Sequence, residues 1–324
     1  MTENARLNNA PPMRPVFSGH ETFPMRYGWL KKVFDTCESL GNQGKTSIKS
    51  FLGSDEAMVV LGVGKNMVAA MRYWASYSRL LDMTEEKELE INPFARELFS
   101  DKGKDPWLEN YATLWYIHWN LVCGKRKNSD CLFTYYWFFN HYNFSTFDKE
   151  ALSKQILEFL KDKWGVSVDK LPAPLTLSRD IDCFISIYSA KARKGKSDEE
   201  SIESPLVELG LINPITRRDV FQINRGIKPA LSIYTFLFGL LIFWKGYFPN
   251  AKTISFESIC YQPLSPGRVF LINEDAVAGY MHDISKITKG LLEYSETAGM
   301  KEIILSKNID FEKTAYEFFR RNYQ

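Results

Sequence analysis

The chain has little of what most recognisable chemistry is built from. Its 324 residues include four histidines and five cysteines. Cys37, Cys123, Cys131, Cys183 and Cys260 are widely spread, odd in number and form no CxxC or Cys/His cluster. That spacing excludes both a local zinc motif and a disulfide framework, and it fits a reducing cytoplasm. A P-loop, a Rossmann glycine fingerprint, HExxH and GxSxG are all missing, and no paired-histidine nuclease motif appears. His118 and His141 lie in an aromatic region, and His282 lies on a predicted helix. The Glu85–Lys87 triplet has the form ExK, but its nearest partner, Asp82, is too close to complete a restriction-type nuclease motif.

Neither sign of charge dominates. Lys and Arg number 41 against 39 Asp and Glu, for a formal charge of +2. The total therefore does not announce a nucleic-acid partner, and the local distribution has to decide. No run reaches the ~18 apolar residues of a membrane span. The most apolar stretch, "PALSIYTFLFGLLIFW" at 229–244, includes Ser, Tyr, Thr and Gly and reads as a buried core helix. The opening "MTENARLNNAPPMRP" lacks a basic segment followed by an apolar one, so it is no secretory signal and reads as a flexible polar arm over 1–15. What the chain does have is apolar residues, 45% of the total, and a length that favours two or three modules over one core.

One pattern passes three times. From Thr46, "LGVGKN" joins a short helix to a longer one starting near Lys65. Met67, Ala70, Met71, Trp74 and Leu81 recur at helical spacing as a buried stripe; Lys65, Ala69, Arg72, Ser76 and Arg79 form the exposed one. "LLDMTEEKELEI" then fits two short strands, and Asn92-Pro93 caps the helix "PFARELF". The second pass runs from about 146 to 224, with Leu152, Ile156, Phe159 and Leu160 on one helix and Leu177, Ile181, Phe184, Ile185 and Tyr188 on another. Its "SAKARKGKSDEES" reads as a mobile loop. The third pass predicts two helical stretches joined by the turn "SPG", a hairpin around "ETAG", and a capped helix in "DFEKTAYEFFRRNY". The fold expected is mainly α with small β-hairpins, an α+β chain of consecutive winged-helix-like modules. Their bounds are 16–105, then 106–225 with an aromatic helical spacer at 107–142, then 226–324.

The densest chemistry sits in "VFSGHETFPMRYGWLKK" at 16–32. In a functional reading His20 exchanges a proton near neutral pH, Glu21 and Asp35 hold a hard divalent ion, and Arg14 and Arg26 grip a phosphate. In a structural reading Ser18 and Glu21 form a capping box, Thr22 also caps, Pro24 starts a helix, and His20 hydrogen-bonds the fold. The cationic stripe Lys65, Arg72 and Arg79, with small residues between, suits a helix approaching a DNA groove, although a solvated face has the same composition. In "LSPGRVF" a turn of Ser265 and Gly267 presents Arg268 to a phosphate, or is only a turn. Around Arg179 and Asp180, "SRDID" reads as an intrahelical or inter-module ion pair, and the aromatic cluster "FTYYWFFNHYNF" reads as core before it reads as a base-stacking surface.

Together "FSGHETFPMRYGWLKK", "LGVGKNMVAAMRYW", "SRDIDCF", "SPLVELGLI" and "SPGRVFLINED", in this order over nearly the whole chain, resemble the SspB family. The resemblance implies a DNA-nicking endonuclease of bacterial DNA phosphorothioation and the linked defence against phage, with Mg²⁺ as the expected ion. It implies double-stranded DNA, a cysteine desulfurase, an ATPase and a sulfurtransferase-like subunit as partners. It assigns no catalytic residue, and a non-enzymatic DNA-binding adaptor remains the alternative.

Overall fold

The computed structural model describes residues 13–43, 47–123, 130–190, 204–215 and 219–324. The chain is mainly helical with small sheets of two or three strands, the α+β class expected. It opens on β1 (Arg14–Val16), so the end of the predicted flexible arm is paired backbone, while residues 1–12 lie outside the described residues. The first helix, α1 (Trp29–Gln43), starts after Gly28 and not at Pro24. Gly19, Glu21 and Thr22 take φ of 109°, 49° and 65°, a left-handed backbone that no right-handed helix tolerates, which corrects the capping-box reading.

Next come α2 (Ile48–Phe51), α3 (Glu56–Leu61) and α4 (Lys65–Tyr77). Gly62, left-handed at φ 60°, ends α3, and Gly64 stands at the cap position of α4. The hairpin of β2 (Leu81–Met83) and β3 (Leu89–Ile91) leads into α5 (Pro93–Phe99). Asn92 caps α5 as expected: its Oδ1 accepts from the amides of Phe94 and Ala95, and Pro93 takes the first-turn position that needs no donor.

The aromatic spacer forms the centre of the core. Every residue from Ala112 to Val122 in α6 (Tyr111–Cys123), and from Phe133 to Asn140 in α7 (Phe133–His141), is buried. Between them β4 (Asp130–Leu132) runs parallel to β1, with Arg14 opposite Asp130. Most of the aromatic cluster thus packs inward as core, while Phe144 at its end, and Trp107 and Tyr111 at the start of the spacer, stand exposed.

The second pass is β5 (Thr146–Asp148), α8 (Lys149–Asp162), α9 (Pro174–Tyr188), β6 (Ile212–Pro214) and β7 (Val220–Ile223), in a sheet ordered β5-β7-β6. The apolar stripes predicted for both helices are buried, save Phe159, which is half-buried. Residues 191–201 of the predicted mobile loop lie outside the described residues. The third pass follows α10 (Ile233–Tyr247), the predicted core helix. It comprises β8 (Thr253–Ser255), α11 (Phe256–Tyr261), α12 (Pro266–Val269), α13 (Glu274–Ile287), β9 (Leu292–Thr297) and β10 (Met300–Leu305), and α14 (Phe311–Phe319) closes the chain. Its sheet order, β8-β10-β9, repeats that of the second pass. "SPG" is not a free turn: Ser265 caps α12, and the proline and glycine are its first residues.

Candidate functional site

His20 is buried beneath the left-handed turn that carries it. Its ring lies parallel to Trp74 and edge-on to Tyr73. The Thr22 amide donates to Nδ1 at 3.1 Å, so the hydrogen-bond network assigns the ring proton to Nε2, which faces Asp180 Oδ1 at 3.2 Å. The other oxygen of Asp180 accepts from Thr134 Oγ1 at 2.5 Å. Both ring nitrogens are therefore occupied, and the three side chains tie the N-terminal turn to α7 and α9. Gly19 completes the turn: a Cβ there would stand 2.9 Å from the Tyr73 ring.

Of the two ion-pair readings of "SRDID", the one between modules describes Asp180, which is buried against His20, while Arg179 is exposed. The signal that separates them is periodicity. Asp180 falls between Leu177 and Ile181 on the buried stripe of α9, where an acid without a hidden partner would be costly. Thr134, within an all-buried helix, carried no comparable signal.

The predicted cations are dispersed. Arg14 donates from Nε and Nη2 to Asp130 at 2.7 and 2.9 Å, fastening β1 to β4. Arg26 lies over the rings of Phe23 and Trp29, 5.9 and 5.6 Å from their centroids. On α4 the exposed stripe is shorter than expected. Lys65 is exposed and Arg72 half-buried, but Ser76 is buried, as is every residue from Tyr73 to Tyr77, so the last turn of α4 is enclosed on all sides; on the opposite stripe Trp74 donates to the Phe23 carbonyl and packs on Tyr135 of α7. Arg79 is committed to Asp82, through Nε at 3.3 Å and Nη2 at 3.0 Å. Burial works to lower its pKa, but Asp82 outweighs burial and raises it. The free cations of α4 are therefore Lys65 and Arg72, neither paired with a carboxylate among the described residues. Arg268 lies on α12 and donates to Asn143 Oδ1 at 2.8 Å.

Glu21 and Asp35 do not form a metal centre. Glu21 is exposed at the turn, and Asp35 is held by Lys31 Nζ at 2.5 Å. The same ammonium donates to Asp101 at 2.9 Å and lies over the Phe34 and Trp107 rings. Burial would lower its pKa, but the two carboxylates raise it, so a permanent lysine cation occupies the place between them. Among the described residues no three His, Cys, Asp or Glu side chains converge as a metal site would require. Among those residues, too, no helix is long and apolar enough to cross a membrane.

A family described as a protein of unknown function (DUF4007) matches residues 17–323. No curated protein matches the sequence. Two crystal structures share the architecture. One is of magnesium ion-bound SspB, with TM-score 0.80 and 26% identity over 94% of this chain and 87% of that one. The other, of SspB, has TM-score 0.79 and 27% identity over the same shares.

Proposed function

The chain belongs to the DUF4007 family and shares the SspB architecture, and from that premise we propose that it engages double-stranded DNA in a bacterial phosphorothioation system and nicks one strand. One observation carries the reading. In a chain alike to SspB over nearly its whole length, α4 follows a tight glycine turn, keeps one face open from Lys65 to the half-buried Arg72, and is followed at once by the β2–β3 hairpin. Lys65 and Arg72 lie along that face without acidic partners among the described residues, while Gly64 and Ala69 leave room for a close approach to a groove. Helix–hairpin units at 16–105, 106–225 and 226–324 are read as winged-helix-like modules, with a cysteine desulfurase, an ATPase and a sulfurtransferase-like subunit as the proteins this one works beside.

Nicking consumes water and breaks one P–O bond, and Mg²⁺, the ion expected from the resemblance, would polarise the phosphate and activate the water. Glu21 and Asp35 do not fit as its paired ligands, so no step is assigned to them. His20 holds its turn against Asp180 and is a positioning residue in this reading. A supercoiled-plasmid assay with Mg²⁺ tests the proposal: wild type gives open circles, and Lys65→Ala/Arg72→Ala slows their formation about tenfold through weaker docking.

The second reading is a DNA-binding adaptor of the same system. It is favoured by the occupied ring nitrogens of His20 and by the absence of a three-donor cluster among the described residues. Plasmid that is bound but never nicked, with or without Mg²⁺, selects it.

A further inference from the structure

Far along the chain from the N-terminal turn, three cations meet without an acid. β7 ends at Ile223, and the loop after it carries Arg225 and Lys228. The loop is fixed at both ends: Asn224 donates from Nδ2 to the Gly210 carbonyl at 3.0 Å and from its amide to the Leu211 carbonyl at 2.9 Å, and the Gly226 amide donates to the Leu271 carbonyl at 2.9 Å. The Gly226 contact docks the loop on the segment that bears Arg268. Leu264 and Leu271, flanking that segment, are buried at φ 66° and 50°, and Gly267 packs so closely that a Cβ would stand 2.4 Å from the Cys260 carbonyl oxygen. Left-handed backbone at non-glycine residues persists only where its surroundings enforce it, and it gathers at ligand clamps.

The cations themselves are under-partnered. Lys228, only 5% exposed, donates to a single neutral acceptor, the Asn224 carbonyl, at 2.6 Å. Arg268 is half-buried, spends Nη1 on Asn143, and has a buried Nε with no acceptor. Arg225 stands exposed at the rim and repels both. No carboxylate pairs with any of the three among the described residues. Burial, followed by Arg225, pushes Lys228 down to about 8. Burial and Arg268 push the neighbouring His141 down to about 4, so at neutral pH the histidine adds no charge. A fold gains nothing in stability by gathering like charges out of water, and such gathering is what oxyanion recognition requires.

We infer that Arg225, Lys228 and Arg268 form a binding pocket for a phosphate-class oxyanion, with Arg225 and Arg268 supplying guanidinium donors and Lys228 a buried point charge. Taking a phosphodiester of bound DNA as the source rests on the DNA reading above; the pocket itself does not. Thermal unfolding of the full chain in sodium phosphate against sodium chloride of equal ionic strength tests it. Wild type gains about 2 °C in phosphate. Lys228→Met melts higher than wild type in chloride, because an unpaired buried charge is gone, and loses the phosphate response; Arg268→Gln loses the response as well. No phosphate response in wild type, or an undiminished response in both variants, overturns the pocket. A DNA arm separates the sources. If Arg225→Ala/Arg268→Ala makes the plot of log affinity against log salt shallower by about 2, the ligand is the DNA backbone. If DNA binding is unchanged, the ligand is a free phosphate compound. A chain that responds to phosphate but never binds DNA refutes the DNA reading and leaves the pocket standing.

Discussion

At the scale of single residues, buried polar groups decide whether the N-terminal turn is a reactive site or a clasp. Asp180→Ala would strand His20 and Thr134 together, and we expect a loss of about 2–4 kcal/mol in chemical denaturation. If His20 only positions the turn, His20→Gln lowers stability and nicking together; nicking abolished with stability intact would make it catalytic. His118 offers a pH test. Its Nε2 donates to the Val269 carbonyl at 2.7 Å, its Nδ1 accepts from the Tyr188 hydroxyl at 2.8 Å, and burial holds it down to about 4. The unfolded histidine titrates near 6.5, so in the interval below that the unfolded chain takes up a proton the folded chain refuses. The stabilisation is complete above about 6.5 and is lost as pH falls toward 4, on the order of 3 kcal/mol. Urea midpoints measured from pH 7 to 5 should fall, and His118→Gln should flatten the decline. The burial of Asp180 was legible in the periodicity of α9; its partner, 160 positions away, was not, because pattern within a helix reports which face is buried and not what it is buried against.

At the scale of elements, hairpins, caps and most apolar stripes match the sequence reading where local chemistry specifies them, although α4 ends at Tyr77 and Leu81, read as part of its stripe, begins β2. Asn92-Pro93 starts α5, "ETAG" turns β9 into β10 with Ala298 and Gly299 left-handed at φ 52° and 78°, and Asp310 caps α14. Failures came where tertiary contacts set the outcome. Pro24 does not start a helix, because the turn before it is shaped by Tyr73, Trp74 and Asp180. The outer stripe of α4 ends at Ser76, because the last turn of the helix, Tyr73 to Tyr77, is buried on every side. Arg79 then belongs to the hairpin junction: Asp82 Oδ2 accepts from both Arg79 Nη2 and Asn92 Nδ2, linking hairpin to cap. Arg79→Ala should lower stability, by about 1 kcal/mol or less at this half-exposed pair, with little change in DNA affinity. Arg72→Ala should do the reverse. Thermal melts beside anisotropy titrations check both, and equal losses of DNA affinity would return Arg79 to the DNA-facing set.

At the scale of the whole molecule, the three helix–hairpin units share one aromatic core. Phe94 of α5 lies 4.8 Å from Tyr316 of α14 and 5.1 Å from Tyr116 of α6, and Tyr135 of α7 packs on Trp74 of α4 at 6.3 Å. Arg320 adds a two-point ion pair to Glu97, with both contacts at 2.7 Å. Unfolding followed by tryptophan fluorescence and by far-ultraviolet dichroism should therefore give one coincident transition, whereas separate midpoints would mean independent units. The grouping of Arg225, Lys228 and Arg268 was hidden from sequence for the same reason as the Asp180 partnership: only the packing of two distant segments brings them together. The claim on which both functional readings depend is engagement of the DNA backbone by Lys65 and Arg72. Its most direct measurement is the affinity of wild type for a short duplex as salt is raised, beside Lys65→Ala/Arg72→Ala. The account predicts a linear fall of log affinity with log salt that becomes shallower by about 2 in the double variant; no binding at low salt, or an identical slope in the variant, would contradict it.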